Sequence, residues 1–275
     1  MISIGDIYDK NVSYLLGSGA SFGVLPTLEL ALKNEEGGTD SLEDLAEKFE
    51  QTSDERLIPL FMHYYATCIR PAQLLRADNI PEVPGKAVIR NYEQFLKTQL
   101  AMLQRKQAFE KTCNLFTTNY DGCLSIAAEN LLKDGSFDFV VNDGTRGFRT
   151  KFLQARNFNS FLCNTGVFDR HKNSIPQVNL IHLHGSVYWN KSSNMIQVDY
   201  NANHGADLLN ETQREKLKPF SDALRSPDSK LDEIDTPAFS EDERNGFWSS
   251  YRAMPIVNPT KWKFHETVYE EHYYQ

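Results

Sequence analysis

Three short polar stretches carry the residue types that can do chemistry in this chain, at residues 17–21, 117–121 and 182–186. The first, Gly-Ser-Gly-Ala-Ser, is a turn whose glycines allow a phosphate to approach the main chain closely. The second contains Asn119, an amide that can orient a water molecule without carrying charge. The third contains His184, whose side chain can act as a base near neutral pH. Together they predict a site that holds a phosphate-bearing ligand and moves a proton.

Each polar stretch directly follows an apolar, β-prone run, at residues 12–16, 113–118 and 178–182. A helix is predicted over residues 124–132 and a further strand over residues 137–141. Strands that alternate with helices indicate an α/β fold: a Rossmann-like, open, mostly parallel sheet with helices on both faces. Because ligands of such sheets bind at the carboxyl ends of the strands, we expect the three stretches to meet at one edge.

The glycine turn is expected to lead into a helix. Such a helix would direct unpaired N–H groups and the positive end of its dipole toward a bound phosphate. The third glycine of the usual dinucleotide fingerprint is displaced, since Phe22 stands in its place and Gly23 follows one position later. A plain tight turn therefore stays open as the alternative interpretation of this stretch.

Two regions lie outside this alternation of strands and helices. Residues 28–110 have apolar positions at helical spacing, with Ser41 and Asp44 in the pattern of a helix-capping pair, and are predicted to form a mostly helical insertion. Residues 201–250 are highly charged and contain several prolines, so they are predicted to form a charged surface insertion or lid. Two β-prone runs within residues 187–200 flank a polar turn, which predicts a hairpin.

Composition excludes several classes of function. The formal charge of −8 and a pI near 5.4 argue against direct nucleic-acid binding or attachment to an anionic membrane through bulk charge. No stretch approaches the roughly 20 apolar residues of a membrane span, and no signal peptide is visible at the N-terminus. The cysteines are scattered without a C-x-x-C pair, which is typical of free thiols in a reducing compartment, so a cytoplasmic location is expected. They are Cys68, Cys113, Cys123 and Cys163.

Taken in order, the three polar stretches resemble the three signature motifs of the sirtuin family. The resemblance implies a single sirtuin-like NAD-binding domain over residues 1–275, with NAD as its substrate. The catalytic residues that it implies are His184 and Asn119. The residues that it implies for cofactor binding are Gly17, Ser18, Gly19, Ala20, Ser21, Thr117, Asp121, Gly185 and Ser186.

The resemblance also implies a role for each motif. Residues 17–21 would wrap the pyrophosphate and nearby ribose of NAD, Thr117 would support the ribose side, and Asp121 would hold the nicotinamide carboxamide. Asn119 would contact the nicotinamide ribose and the attacking water, while His184 would be the general base. These roles suit the chemistry, because breaking the bond between nicotinamide and ribose creates an oxocarbenium-like centre that needs positioned water and a base.

Departures from the family pattern are as informative as the matches. Protein deacylases of the family carry two C-x-x-C pairs on a zinc module after the histidine motif, whereas no cysteine follows His184 here, so no zinc is expected. Tyr120 replaces the usual aliphatic residue. These features resemble the divergent bacterial anti-phage branch, which implies an NAD glycohydrolase that depletes NAD in antiviral defence. That branch implies a homo-oligomer, a partner defence protein such as an ATPase of the HerA type, or both. A later strand of the family pattern is expected beyond residue 275, so the domain is expected to be incomplete at its C-terminus.

Other interpretations remain open from the sequence. The protein could be an NAD-dependent deacylase, or a non-catalytic module that binds NAD or ADP-ribose. Asn119 and Asp121 could cap the helix that follows them. His182 and His184 share one face of a strand, but no third metal ligand stands at a suitable spacing, so a metal is not expected and His182 is predicted to pack in the core.

Overall fold

A computed structural model describes residues 10–27, 29–34, 37–160, 164–165, 173–201 and 207–260 of the chain. Its strands are β1 (Ser13–Leu16), β2 (Glu29–Lys33), β3 (Thr39–Ser41), β4 (Thr112–Thr117), β5 (Val140–Asn142), β6 (Thr145–Arg146), β7 (Lys151–Leu153), β8 (Asn164–Thr165), β9 (Asn173–Ser174), β10 (Gln177–His182), β11 (Trp189–Ser192) and β12 (Met195–Val198). Its α-helices are α1 (Leu42–Thr52), α2 (Leu57–Tyr64), α3 (Arg70–Leu74), α4 (Gly85–Gln104), α5 (Cys123–Asp134), α6 (Glu211–Leu224) and α7 (Glu241–Arg252). None of these described helices is long and apolar enough to cross a membrane. Cys163 lies outside the described residues.

The central sheet consists of four parallel strands in the order β1-β4-β10-β5. This confirms the prediction of a mixed α/β fold with a parallel sheet. Leu16 of β1 and His182 of β10 both lie in register with Thr117 of β4. The three strands therefore end at the same level, and the polar stretches that follow them leave the sheet at one edge.

The two faces of this sheet differ in chemistry. Alternate residues of a strand point to opposite faces, and on one face Leu115 and Leu180 pack against α4 and α5. On the other face a row of amides crosses the strands: Asn179 donates to Asn114 (2.8 Å), and Asn142 donates to Asn179 (3.0 Å). The short 3₁₀ helix Ala155–Asn159 contacts this row through its carbonyl oxygens. The amides thus satisfy one another where α4 and α5 do not reach.

The predicted helical region begins with an antiparallel β-hairpin, formed by β2 and β3, before α1 starts. The predicted cap of α1 is confirmed: Ser41 Oγ accepts from the backbone N–H of Asp44, whose carboxylate accepts from the backbone of Ser41. The helices then separate. Helix α4 packs on the sheet, whereas α1 and α2 join α6 and α7 in a second core. We call this second core the helical cluster; its large buried members include Leu45, Phe49, Leu60, Phe61, Tyr64, Leu217, Phe220 and Tyr251.

The charged region at 201–250 contributes to this helical cluster through α6 and α7. Leu217, Phe220 and Leu224 lie on one face of α6, and Phe247 and Tyr251 lie on one face of α7; all five are buried. The charged residues occupy the remaining faces of the two helices. The region expected to be a surface insertion or lid therefore also supplies core, because its few apolar residues recur at helical spacing.

The predicted hairpin near residue 190 is confirmed as β11 and β12, which pair antiparallel. Ser193, in the two-residue turn between them, has a positive φ of 55°, as tight hairpin turns require. Strand β12 also pairs with β7, so the hairpin forms part of a second, antiparallel sheet in the order β11-β12-β7-β6.

Candidate active site

A cavity of about 310 Å³ lies at the carboxyl edge of the parallel sheet. All three polar stretches contribute to its lining, through Gly17, Ser18, Ser21, Thr118, Asn119, Tyr120, Asp121 and His184. The expected convergence of the stretches is therefore confirmed, and its cause is the parallel register of the strands that precede them. The remaining lining residues come from other segments and are Leu25, Pro26, Glu43, Tyr64, Cys68, Ala72 and Pro259.

The expectation of a helix after the glycine turn is wrong. Ser18–Ser21 form a single 3₁₀ turn, and Phe22 is extended with φ −60° and ψ 127°. The N–H groups of Val24 and Leu25 then both bond to the carbonyl oxygen of Ser21, which turns the chain away. Since a turn of four residues has no sizeable dipole, a helix dipole does not contribute to the binding of an anion here.

The glycines of this turn provide space rather than unusual backbone angles. Gly17 has φ −111°, and neither Gly17 nor Gly19 has a positive φ. A Cβ atom on Gly17 would lie 3.8 Å from Oγ1 of Thr118, an ordinary contact, and a Cβ on Gly19 would meet nothing within 4 Å. Within the folded chain the room beside these glycines stays open, as close approach of a ligand to the main chain requires.

Asn119 joins the first two polar stretches. Its Nδ2 donates to the carbonyl oxygen of Gly17 (3.0 Å) and to Oγ of Ser21 (3.2 Å), and the side chain is buried. Ser21 Oγ in turn lies 3.0 Å from the hydroxyl of Tyr92 on α4. Tyr92 lies in the region that was predicted to be mostly helical, but nothing in the sequence indicated this contact. The network fixes the plane of the Asn119 amide at the cavity wall.

Thr117 and Asp121 support the second stretch from either side. Thr117 is buried beneath the cavity rather than in its lining, where its Oγ1 accepts from the backbone N–H of Asn119 (3.0 Å) and donates to the carbonyl oxygen of Leu16 (3.3 Å). Asp121 lines the cavity, and its Oδ1 accepts from the backbone N–H of Cys123 (2.8 Å), the first residue of α5. Asp121 therefore supports the start of the helix while its carboxyl group also faces the site.

His184 is half-buried and lines the cavity. Its backbone carbonyl oxygen accepts from the N–H of Val257 (2.8 Å), and its ring lies 6.5 Å from the ring of Tyr120. The Tyr120 hydroxyl donates to the carbonyl oxygen of Val257 (2.5 Å). The segment around Val257 thus holds the second and third stretches together, a role that nothing in its own sequence indicated.

Besides Thr117, four residues predicted to bind the cofactor lie beside the cavity and do not line it. Gly19 and Ala20 are exposed on the 3₁₀ turn. Gly185 has φ +79° and bridges to Ile256, and a Cβ on it would fall 2.1 Å from the carbonyl oxygen of Pro255. Ser186 is buried and donates to the carbonyl oxygen of Tyr120 (3.4 Å). The last two residues shape the loop that carries His184, because their main chain and hydroxyl contacts fix its path.

His182 is packed in the core, as predicted. Its Nδ1 donates to the carbonyl oxygen of Asn119 (3.2 Å), and its ring makes an edge contact with Trp189. Burial lowers the pKa of His182, so the side chain is neutral at physiological pH. Within the part of the chain that the structure describes, no cluster of three or more His, Cys, Asp or Glu side chains could hold a metal ion.

The helical region supplies the wall opposite the glycine turn. Tyr64, Cys68 and Ala72 line the cavity at intervals of four residues, and Glu43 of α1 also reaches it. Burial raises the pKa of the Cys68 thiol to about 11, so this thiol stays protonated and is a poor nucleophile. The cavity is therefore polar at the sheet edge and mostly apolar against the helices, a division that suits a ligand with one charged end and one planar end.

Comparison with known proteins adds no identification to this geometry. No model of a known protein family matches the chain, and no curated protein sequence matches it. The chemistry of the site therefore rests on the residues in the cavity and on their contacts.

Proposed function

We propose that this protein is an NAD glycohydrolase, which uses water to split NAD into nicotinamide and ADP-ribose. One observation supports the proposal above all: a single cavity contains the glycine turn, Asn119, Asp121 and His184. These are the residues that the sirtuin resemblance links to NAD. We also propose that the fold is Rossmann-like and sirtuin-like.

In the proposed complex the pyrophosphate lies beside Gly17, where the main chain is open. Asn119 has its amide plane held by Gly17 and Ser21, so its side-chain oxygen can orient a water molecule at a constant position. The bond between ribose and the nicotinamide nitrogen breaks, and its electron pair leaves with nicotinamide. Water adds to the ribose carbon in its place.

His184 is the proposed general base for this step. It takes the proton that water loses as the new carbon–oxygen bond forms, so the products are nicotinamide, ADP-ribose and one released proton. A positioned base of this kind contributes about 10²- to 10⁴-fold to a rate. Asp121, which also lines the cavity, would hold the carboxamide of the leaving nicotinamide.

The biological role is an extension of the same resemblance. We propose NAD depletion during bacterial antiviral defence, in a homo-oligomer or together with a partner such as an ATPase of the HerA type. The order of the three motifs and the absence of zinc-module cysteines after His184 support this proposal.

The test follows nicotinamide release from NAD by chromatography, with the assembly in its active state. We expect His184→Ala and Asn119→Ala each to reduce the rate at least about 100-fold, because each removes a positioned group. Leu183→Ala is the matched control, since Leu183 adjoins His184, is 36% exposed and lies outside the cavity lining. Melting curves of all variants identify any loss that arises from unfolding.

Activity that survives both substitutions would rule out this assignment of the site. Nicotinamide release that requires an acyl-lysine peptide would indicate a deacylase instead. Tight binding of NAD without turnover, in the presence of the partner and its trigger, would indicate a binding module.

A further inference from the structure

The hydroxyl group of Tyr64 is an unexplained feature of the cavity. Tyr64 is the last residue of α2, is 1% exposed and lines the cavity. Its hydroxyl is buried, and among the residues that the structure describes it has no hydrogen-bond partner. Buried polar groups are nearly always paired, so an unpaired one in a cavity points to a ligand that pairs with it.

The hydroxyls of two neighbouring tyrosines, Tyr120 and Tyr65, do have hydrogen-bond partners. The hydroxyl of Tyr120, which also lines the cavity, gives its proton to the carbonyl oxygen of Val257 (2.5 Å). The hydroxyl of Tyr65 accepts from the backbone N–H of Leu208 (3.1 Å), and Tyr65 lies outside this cavity. Burial, together with the nearby side chains of Tyr120 and Tyr251, keeps the pKa of Tyr64 well above its ordinary value, so its hydroxyl stays protonated and can donate.

The local backbone around Tyr64 is also unusual. A π-helical turn, Tyr65–Ile69, follows it directly and separates α2 from α3. Turns of this kind are rare and occur frequently at functional sites. Here the segment presents Tyr64, Cys68 and Ala72 to the same cavity.

The surroundings of Tyr64 indicate which part of a ligand it meets. Gly17 and Ser18, at the sheet edge, are exposed, whereas Tyr64 and Ala72 are buried among mostly apolar neighbours. A charged pyrophosphate suits the exposed polar end, so a planar base with a polar substituent suits the buried end.

We propose that the Tyr64 hydroxyl binds the polar substituent of the substrate's planar leaving base and so helps to select which base the cavity accepts. This assignment rests on the proposed NAD hydrolysis, in which that base is nicotinamide and its carboxamide oxygen accepts from Tyr64. Tyr64 is then a specificity-determining residue supplied by the helical region. It acts together with the residues that follow the strands.

The test uses the full chain with Tyr64→Phe, which removes only the hydroxyl, and Tyr65→Phe as the matched control. Calorimetry measures the dissociation constants of nicotinamide and of ADP-ribose, which lacks the base, and melting curves measure the unliganded proteins. For Tyr64→Phe we expect nicotinamide binding to weaken about tenfold, the loss of one hydrogen bond of about 1.4 kcal/mol. ADP-ribose binding should stay within about twofold. The melting temperature should be equal to or above that of the wild type, because the hydroxyl that is removed is buried and has no partner in the described part of the chain.

Tyr65→Phe should show the opposite pattern, with a lower melting temperature and both dissociation constants unchanged, because it loses the bond to Leu208. Unchanged nicotinamide binding in Tyr64→Phe, or a fall in its melting temperature, would overturn the assignment. If the wild-type protein in that case binds NAD and ADP-ribose, the proposed hydrolase function is not contradicted. A wild-type protein that binds none of NAD, nicotinamide and ADP-ribose would overturn both.

Discussion

Asn119 shows how a single residue can be structural and functional in one site. Its Nδ2 makes two bonds to the glycine turn, and its backbone carbonyl accepts from His182 in the adjacent strand. These bonds join three segments that are far apart in the chain. Asn119 is therefore not a simple helix cap, because both of these side-chain bonds are made to the first polar stretch, at Gly17 and Ser21.

Gly17 allows a test of whether the open space beside it receives the ligand. Its backbone angles suit alanine, and a Cβ would make only an ordinary contact with Thr118. We therefore expect Gly17→Ala to change the free energy of unfolding by no more than about 0.5 kcal/mol. The added methyl group should weaken ADP-ribose binding at least about tenfold, as measured by calorimetry.

Gly246→Ala serves as the control for Gly17→Ala. Gly246 lies within α7, where a Cβ would meet nothing within 4 Å, and it is remote from the cavity lining. We expect this variant to gain roughly 0.5–1 kcal/mol from improved helix propensity and to bind ADP-ribose like the wild type. Equal binding by the two variants would show that the space beside Gly17 is not a ligand site.

At the level of secondary structure, three helices begin with reciprocal capping boxes. The pairs are Ser41 with Asp44, Asn210 with Gln213, and Ser240 with Glu243. Each box satisfies N–H groups that the first helical turn leaves unpaired. These helices build the helical cluster that carries Tyr64, so the caps act on the site through the position of that cluster.

Ser240→Ala tests the contribution of one such cap. The substitution removes the acceptor for the backbone N–H of Glu243 (3.2 Å). We expect a loss of about 1 kcal/mol in the free energy of unfolding, measured with urea, with the slope of the transition unchanged. ADP-ribose binding should not change, because α7 does not line the cavity.

Ser249→Ala is the matched control for the cap, since Ser249 is exposed within the same helix. Alanine is the better helix former, so this variant should be as stable as the wild type or slightly more stable. A similar loss of stability in both variants would contradict the capping role of Ser240.

At the level of the whole molecule, a buried histidine links the packing of α2 and α6 to pH. His63 Nδ1 lies 2.9 Å from the hydroxyl of Ser221, and burial together with the charge of Arg225 lowers the pKa of His63 to about 4. In the unfolded chain the pKa is about 6.5. Between these values the unfolded state binds a proton that the folded state does not bind.

The contribution of His63 to the free energy of unfolding should therefore be fully present above pH 6.5. It should fall by roughly 3 kcal/mol as the pH drops toward 4. Urea unfolding at pH 7, 5.5 and 4.5 measures this loss. Glutamine in His63→Gln can still bond to Ser221 but does not titrate. The variant should therefore lose less free energy of unfolding over this pH range than the wild type. Buried His182, with its own lowered pKa, leaves part of the slope in both proteins. Parallel curves for wild type and variant would contradict the role of His63.

Local patterns in the chain were sufficient to predict the parts of the fold that depend on near neighbours. The strands before the three polar stretches, the Ser41 cap and the hairpin of β11 and β12 follow from apolar runs, capping chemistry and turn residues. The sequence also predicted that the three polar stretches meet at one edge, because the carboxyl ends of parallel strands lie at the same edge of a sheet. The prediction of a helix after the glycine turn was wrong, because Phe22 takes extended backbone angles that end the turn.

The residues that line the helical side of the cavity could be identified only from the folded chain. Tyr64 and Cys68 on the helical segment, Tyr92 on α4, and the segment at Val257 reach the site through contacts between residues distant in sequence. Helical spacing marks such positions as buried, but it does not distinguish a side chain that faces a neighbouring helix from one that faces a cavity. The order of the three motifs thus pointed to a ligand and to the edge where it binds, whereas packing alone placed at that cavity a tyrosine hydroxyl without a partner among the described residues.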